Sequence, residues 1–398
     1  MSIKPYWLTP APLAGTTHVI EQRRDGDEWR VRLAGSLFYP ESGGQRSDQG
    51  WLGPRRVLAV QIEDGQAWHL LDGEAPAGEL GQQVDAERRR DHSEQHSGQH
   101  LLSAVCRELL GAETLAFHMG EASSTVELSL SEMSELDRQR IEARCAELIA
   151  EDRPLDILYP SPDQAARLPL RKAAEAREGL RIVSIRDYDA SPCGGTHVAS
   201  TGTIGAVFLG GSEKIRGRVR VEYVAGLRAL AAASRAMAVL RRGGRSLSCG
   251  AEELPERIDA VLAQLRDASR AVRELRERLL VHESLELKQA GEWVALSGGR
   301  FLAREFPGRS LPDLVDLGNR LCEEAGRVFL GSCPDGALLR LHLQRSRGEG
   351  PHLGEMLKAA LAAAGGKGGG SADRAQGVLE DPAGWAALTE EIRRRLSA

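Results

Sequence analysis

Aromatic residues make up only 4% of the 398-residue chain, so its cores must be built from Leu, Val, Ala and Ile. No run of about 18 apolar residues occurs, which excludes a conventional membrane-spanning helix. The opening MSIKPYWLTPAP has no apolar signal core. The cysteines, Cys106, Cys145, Cys193, Cys249, Cys322 and Cys333, are scattered without close pairing. They read as reduced thiols, and cytoplasm is the expected compartment. Positive charge is not in excess: the formal net charge is -5. This excludes a generally basic nucleic-acid binder but leaves room for a local basic face. No acidic residue stands out as a general base.

What is present is an ordinary globular balance, 41% hydrophobic and 27% charged, in a chain too long for one core. The patterning predicts an α+β protein in four parts. Residues 1–88 carry short alternating runs broken by Gly and Asp-Gly turns, the signature of a small β-barrel. Residues 89–245 alternate helix and strand. Their first helix is expected to be capped at Asp91 or Ser93 and to stop at Gly111. In 246–295, Ile258, Leu265, Val272 and Leu279 repeat every seven residues, interleaved with Val261, Ala268 and Leu275. That predicts a long helix packing on another helix, with a homodimer through this or the C-terminal region as a weaker alternative. Residues 296–398 alternate strands and helices around GGKGGGSADRAQG, giving a glycine-rich α/β domain.

Two short motifs carry chemistry. In HSGQH, His96 and His100 are four positions apart on a helix, about 40° of rotation, so both rings can reach one ion. In SPCGGTH, Cys193 and His197 follow a strand, and Pro192 with two glycines allows the backbone to turn both donors to one point. Imidazole and thiolate suit zinc, not the oxygen-seeking magnesium or calcium. Four protein ligands point to a closed structural site, whereas catalysis needs an exchangeable position, and spacing does not choose between them. His92 is a rival ligand on the same helix; His69 and His118 read as structural. Lys214, Arg216, Arg218 and Arg220 form a basic run whose arginines, at period two, would line one face of a strand and track phosphates. Arg88, Arg89 and Arg90 could extend that path. GGKGGGS fails as a P-loop because Lys367 is followed by Gly368, not Ser or Thr. A flexible turn offering Gly368 and Gly369 amides to phosphate is expected instead.

Four ordered blocks, FYPESGGQRSDQG (38–50), RRDHSEQHSGQHLLSAV (89–105), SPCGGTHVASTGTIG (191–205) and SEKIRGRVRVEYVAG (212–226), resemble the signatures of alanyl-tRNA editing proteins. These are free-standing relatives of the editing domain of alanyl-tRNA synthetase. The block 365–377 is similar to the glycine-rich C-terminal domain of the long forms. The chain before residue 38 has no room for an aminoacylation domain. The resemblance therefore implies an ATP-independent trans-editing hydrolase that cleaves the ester of mischarged Ser-tRNA(Ala), and of Gly-tRNA(Ala), in the service of translational fidelity. It implies zinc on His96, His100, Cys193 and His197, the editing-site glutamine at Gln45, and the glycine turn of the substrate pocket at Gly43 and Gly44. Ser36 stands where the family often has Thr and is the candidate donor to a serine hydroxyl. In the family's HTATH block Ser97 and Gln99 are departures, and Gln99 is a candidate substrate contact. Ser47-Asp48 replaces the usual GD, and Asp48 is the nearest candidate base. Two rivals stand beside this reading: a tRNA-binding module with a structural zinc, and a metallohydrolase of small aminoacyl esters.

Overall fold

The computed structural model describes residues 4–26, 28–172, 178–348 and 350–397. The chain divides into two compact units, Met1–Ser246 and Leu247–Ala398.

The first unit opens with a closed barrel. Its strands are β1 (Ala14–Asp25), β2 (Glu28–Leu33), β3 (Gly50–Leu52), β4 (Arg55–Glu63), β5 (Gln66–Leu71) and β6 (Glu79–Val84), in the order β1-β2-β5-β4-β3-β6. Alternation drives it: in β6 every second residue is buried. Val31, Phe38, Leu52, Val57, Val60 and Leu71 fill the interior. The β4–β5 turn is Asp64-Gly65, both at positive φ (48° and 74°), the geometry that matches strand twist in two-residue hairpins.

Helix α1 (Ala86–Leu110) follows at once. Its cap is Asp85, whose carboxylate accepts from the Glu87 and Arg88 amides, and not the expected Asp91 or Ser93. The arginine run thus belongs to the helix, and Asp91 instead pairs with Arg228. Gly111 ends α1 at φ 62°, as its position predicts. Then come β7 (Thr114–Met119), β8 (Ser124–Leu128), α2 (Glu135–Ala150), β9 (Leu155–Leu158), a short α3 (Pro162–Ala165), β10 (Ile182–Ile185), β11 (Asp189–Pro192), β12 (Val207–Ile215), β13 (Arg218–Ala225) and α4 (Gly226–Leu247). They form a sheet β12-β13-β8-β7 and a smaller one, β11-β10-β9. The lower half of α1 packs Leu101, Leu102, Val105 and Cys106 into a core with Val126, Ile141, Leu148 and Tyr223. Gly98 is required here, because a Cβ would meet the Cβ of Ala225 on β13.

The second unit holds α5 (Leu254–Gln289), β14 (Val294–Leu296), β15 (Gly299–Glu305), α6 (Leu311–Leu321), β16 (Arg327–Asp335), β17 (Leu338–Arg345), α7 (Leu353–Ala364), β18 (Gly366–Gly370), β19 (Arg374–Leu379) and α8 (Trp385–Ser397). Its sheet runs β14-β15-β16-β17-β19-β18, with β15–β16 the parallel pair among antiparallel neighbours. The sheet is therefore mixed, not the parallel sheet of an α/β fold, because hairpins join its strands. Helix α5 forms as the heptads predict, but Ile258, Leu265, Val272 and Leu279 stand exposed. Its contact with α6 runs instead through Leu280 and Leu287 against Leu314 and Leu317. The glycine block is strand β18 at the sheet edge, not a flexible turn. A Cβ at Gly368 would strike Leu361 of α7, whereas Gly369 faces open space. Lys367 is exposed.

Candidate metal centre

The two motifs meet. His96 and His100 project from α1, and Cys193 and His197 from the loop after β11. The four donor atoms lie within 4.8 Å of one another. The Cys193 sulfur is 3.3 Å from His96 Nε2 and 3.2 Å from His197 Nε2. On a tetrahedral zinc, N and S ligands sit roughly 3.6 Å apart, so closing round an ion asks for shifts of a few tenths of an ångström. The donor set fits zinc: three imidazoles, one thiol and no carboxylate. Burial, then the Arg181 and His92 charges, holds His96 down to about 3. Burial and the neighbouring rings hold His100 and His197 well below the ordinary histidine value. All three rings therefore keep the lone pair a metal needs. Burial pushes the Cys193 thiol up, opposed by the Gly195 amide and Arg181. His92 is buried but lies outside the cluster, its Nδ1 unpartnered. His69 is sealed in the barrel between Val31 and Ser36, and His118 is exposed.

The next layer of side chains orients these ligands. Gln45 is fully buried. Its Oε1 lies 2.7 Å from His96 Nδ1 and accepts from the Thr196 amide at 3.0 Å, while its Nε2 donates to Thr196 Oγ1 at 2.9 Å. This fixes the His96 tautomer with Nδ1 protonated and Nε2 free for the ion. Ser97 Oγ lies 3.1 Å from His197 Nδ1 and holds that ring's orientation. Gly43 and Gly44 make the turn that delivers Gln45, both at positive φ, and a Cβ on Gly44 would collide with the Phe117 carbonyl of β7. Gly195 is equally constrained: a Cβ there would enter the His96 ring. Gln45 therefore acts through His96. Gln45→Ala is expected to weaken zinc binding about 10- to 100-fold, read by chelator competition; unchanged affinity would contradict this role.

Beside the cluster is a cavity of about 270 Å³, walled by His96, His100 and Cys193 together with Tyr39, Gly43, Gln99, Thr114, Phe117 and Arg171. No carboxylate lines it among the described residues. Asp48 is fully buried and ion-paired to Arg89, with the Tyr39 amide donating to it at 2.6 Å. It acts as a strut and is not among the residues that line the cavity. Ser36 also stands outside the walls, its Oγ 2.7 Å from His69 Nε2. The basic run is not one strand face. Arg216 and Gly217 turn the β12–β13 hairpin at positive φ, so Arg216 and Arg218 stand exposed at its tip. Arg220 is neutralised by Glu127 and Glu213, and Lys214 by Glu132. Of the arginine trio, Arg88 donates to the Ser47 carbonyl, Arg89 is buried, and Arg90 is exposed beside Glu94. Sequence reasoning missed Arg181, which donates to the Cys193 carbonyl at 2.7 Å, and Trp7, whose indole N–H donates to the Gly194 carbonyl at 2.9 Å. An isolated arginine or tryptophan far from the motif carries no spacing signal.

The family described as the threonyl and alanyl tRNA synthetase second additional domain matches residues 180–222, which include Cys193 and His197. The alanyl-tRNA editing protein AlaX-L of Pyrococcus horikoshii is 28% identical over 379 residues, 91% of each chain. The alanyl-tRNA editing protein Aarsd1 of Bos taurus is 30% identical over 67% of this chain and 61% of its own. The alanine--tRNA ligase of Frankia casuarinae is 31% identical over 88% of this chain, but the match spans only 42% of the ligase. The chain thus covers less than half the length of such ligases and nearly all of AlaX-L. By these similarities the chain is a homologue of the alanyl-tRNA editing proteins AlaX-L and Aarsd1.

Proposed function

We propose that the chain is a zinc-containing aminoacyl-tRNA deacylase that hydrolyses the ester of mischarged Ser-tRNA(Ala) in trans, with Gly-tRNA(Ala) as a second substrate. The observation that carries this is the position of His96, His100 and Cys193, which form a metal cluster and the wall of a cavity at once. A purely structural zinc needs no cavity. A bound zinc there would supply Lewis-acid polarisation or hold the substrate's amino group or a water.

The chain's own residues do the rest. His96, His100, Cys193 and His197 would hold the ion, and Gln45 and Ser97 keep two of the imidazoles in register. With no carboxylate among the described residues of the walls, hydrolysis is assigned to orientation and a polarised carbonyl, not to a strong base. Tyr39, whose hydroxyl donates to Ser42, shapes the wall beside Gly43. Arg171, tied to Asp189, and the neighbouring Lys172 bring positive charge to the cavity rim, where the phosphates of a tRNA 3′ end would pass. Exposed Arg216, Arg218, Lys367 and the β18 edge with Gly368 and Gly369 offer further tRNA contacts.

The test is incubation of purified protein with Ser-, Gly- and Ala-charged tRNA(Ala). Loss of Ser-tRNA(Ala), with Ala-tRNA(Ala) spared, is expected. Binding of tRNA without hydrolysis of any ester would replace this reading with a tRNA-binding module around a structural zinc. Equal hydrolysis of a free aminoacyl ester would replace it with a small-ester hydrolase.

A further inference from the structure

One wall of the cavity is polar in a way the metal does not need. Gln99 and Thr114 line the cavity, with Ser103 behind them. Gln99 Nε2 donates to Ser103 Oγ at 2.7 Å, and Thr114 Oγ1 donates to the same oxygen at 2.6 Å. Gln99 is 6% exposed and Ser103 1%. Ser103 Oγ thus has both lone pairs engaged and holds the Gln99 amide from behind. Among the described residues the amide's carbonyl oxygen has no protein partner, yet it is not sealed inside protein. It belongs to a side chain that lines the cavity, one residue from His100.

We infer that Gln99, positioned by Ser103 and Thr114, reads the side-chain hydroxyl of the aminoacyl group; the assignment rests on the deacylase reading above. An amide carbonyl and an alcohol are complementary, since the hydroxyl donates to the oxygen. A serine side chain pairs it. An alanine methyl cannot, and it displaces the water that otherwise would, leaving a buried carbonyl unpaired. That is the kind of mismatch that separates substrates far better than a change of volume does. Glycine presents no side chain, so a water keeps its place on the amide. The expected order is therefore serine, then glycine, then alanine, which spares the correctly charged tRNA. The hydroxyl of Ser36 is differently employed: it bonds His69 and the Phe38 amide inside the barrel.

The test compares kcat/KM on Ser-, Gly- and Ala-tRNA(Ala) for wild type, Gln99→Met, Thr114→Val and Ser36→Ala, with zinc content measured on each. Methionine keeps the length of glutamine without its polar atoms. Gln99→Met is expected to lower the rate on Ser-tRNA(Ala) about 10- to 100-fold while the Gly-tRNA(Ala) rate stays within about threefold. Thr114→Val should shift the ratio the same way by less, since it only frees Ser103. A proportional fall on both substrates, an unchanged ratio in zinc-replete Gln99→Met, or a serine-selective loss in Ser36→Ala alone would overturn the inference. A wild-type protein inactive on all three tRNAs would instead sink the deacylase reading, before any variant is made.

Discussion

Replacing Cys193 with alanine is expected to strip the metal from the protein and abolish deacylation. The thiolate would be the anionic member of the donor set; the other three are neutral imidazoles, held so by burial. Without it a doubly charged ion would sit in a buried site with no compensating charge. Four-ligand sites bind zinc with an apparent free energy of about 10–16 kcal/mol, so losing a quarter of the ligands removes about 2.5–4 kcal/mol, or roughly 100- to 1,000-fold in affinity. A bound ion would also tie α1 to the loop after β11, so the variant and the chelated wild type should both melt at lower temperature. Cys145→Ala is the control. Cys145 is the more deeply buried of the two and lies in the core behind α1, so its truncation should lower stability and leave one zinc per chain. Metal analysis by mass spectrometry and calorimetric melting read both effects. A Cys193→Ala protein that keeps its zinc, or a melting point indifferent to chelation, would refute the four-ligand centre.

How much of this was legible beforehand differs by residue, for physical reasons. The ligand pairs were legible because each lies within one local element: helical geometry alone aligns His96 with His100, and glycine turns align Cys193 with His197. The helix terminator Gly111 and the Asp64-Gly65 turn were legible because a positive φ writes itself in residue type. The cap of α1 is not legible because Asp91 is a good cap in isolation; its real partner, Arg228, is distant in sequence. The arginine run misleads because period two points to a strand face, whereas Arg216-Gly217 is itself a turn. The roles of Gln45 and Asp48 were invisible for a deeper reason. Each is defined by a residue far along the chain, His96 or Arg89, and no local pattern records whether a side chain faces a cavity or another side chain. The same holds for Ser103 and Thr114, ordinary residues until α1 and β7 bring them together.

The Arg89–Asp48 pair supplies the second large effect. Arg89 is 5% exposed and Asp48 0%. Beyond the ion pair, Arg89 Nη2 donates to the Leu37 carbonyl at 2.8 Å. Two ends of the 38–48 segment, the stretch that carries the glycine turn and Gln45, are thereby anchored to the first turns of α1. Arg89→Met would leave a carboxylate buried without a counter-charge, a change that costs about 3–5 kcal/mol. At roughly 2–4 °C per kcal/mol for a unit of this size, the first transition should fall by about 6–20 °C. The double variant Arg89→Met/Asp48→Asn removes both charges and should recover much of that loss, since an amide can still accept from the Tyr39 N–H. The pair also sets the height of Gln45 against His96, so the single variant should bind zinc more weakly while still folding at low temperature. If Asp48 were a general base, Asp48→Asn would remove hydrolysis and leave melting nearly unchanged. As a strut it should do the opposite in proportion: a large fall in melting temperature, with activity at low temperature retained in the folded fraction.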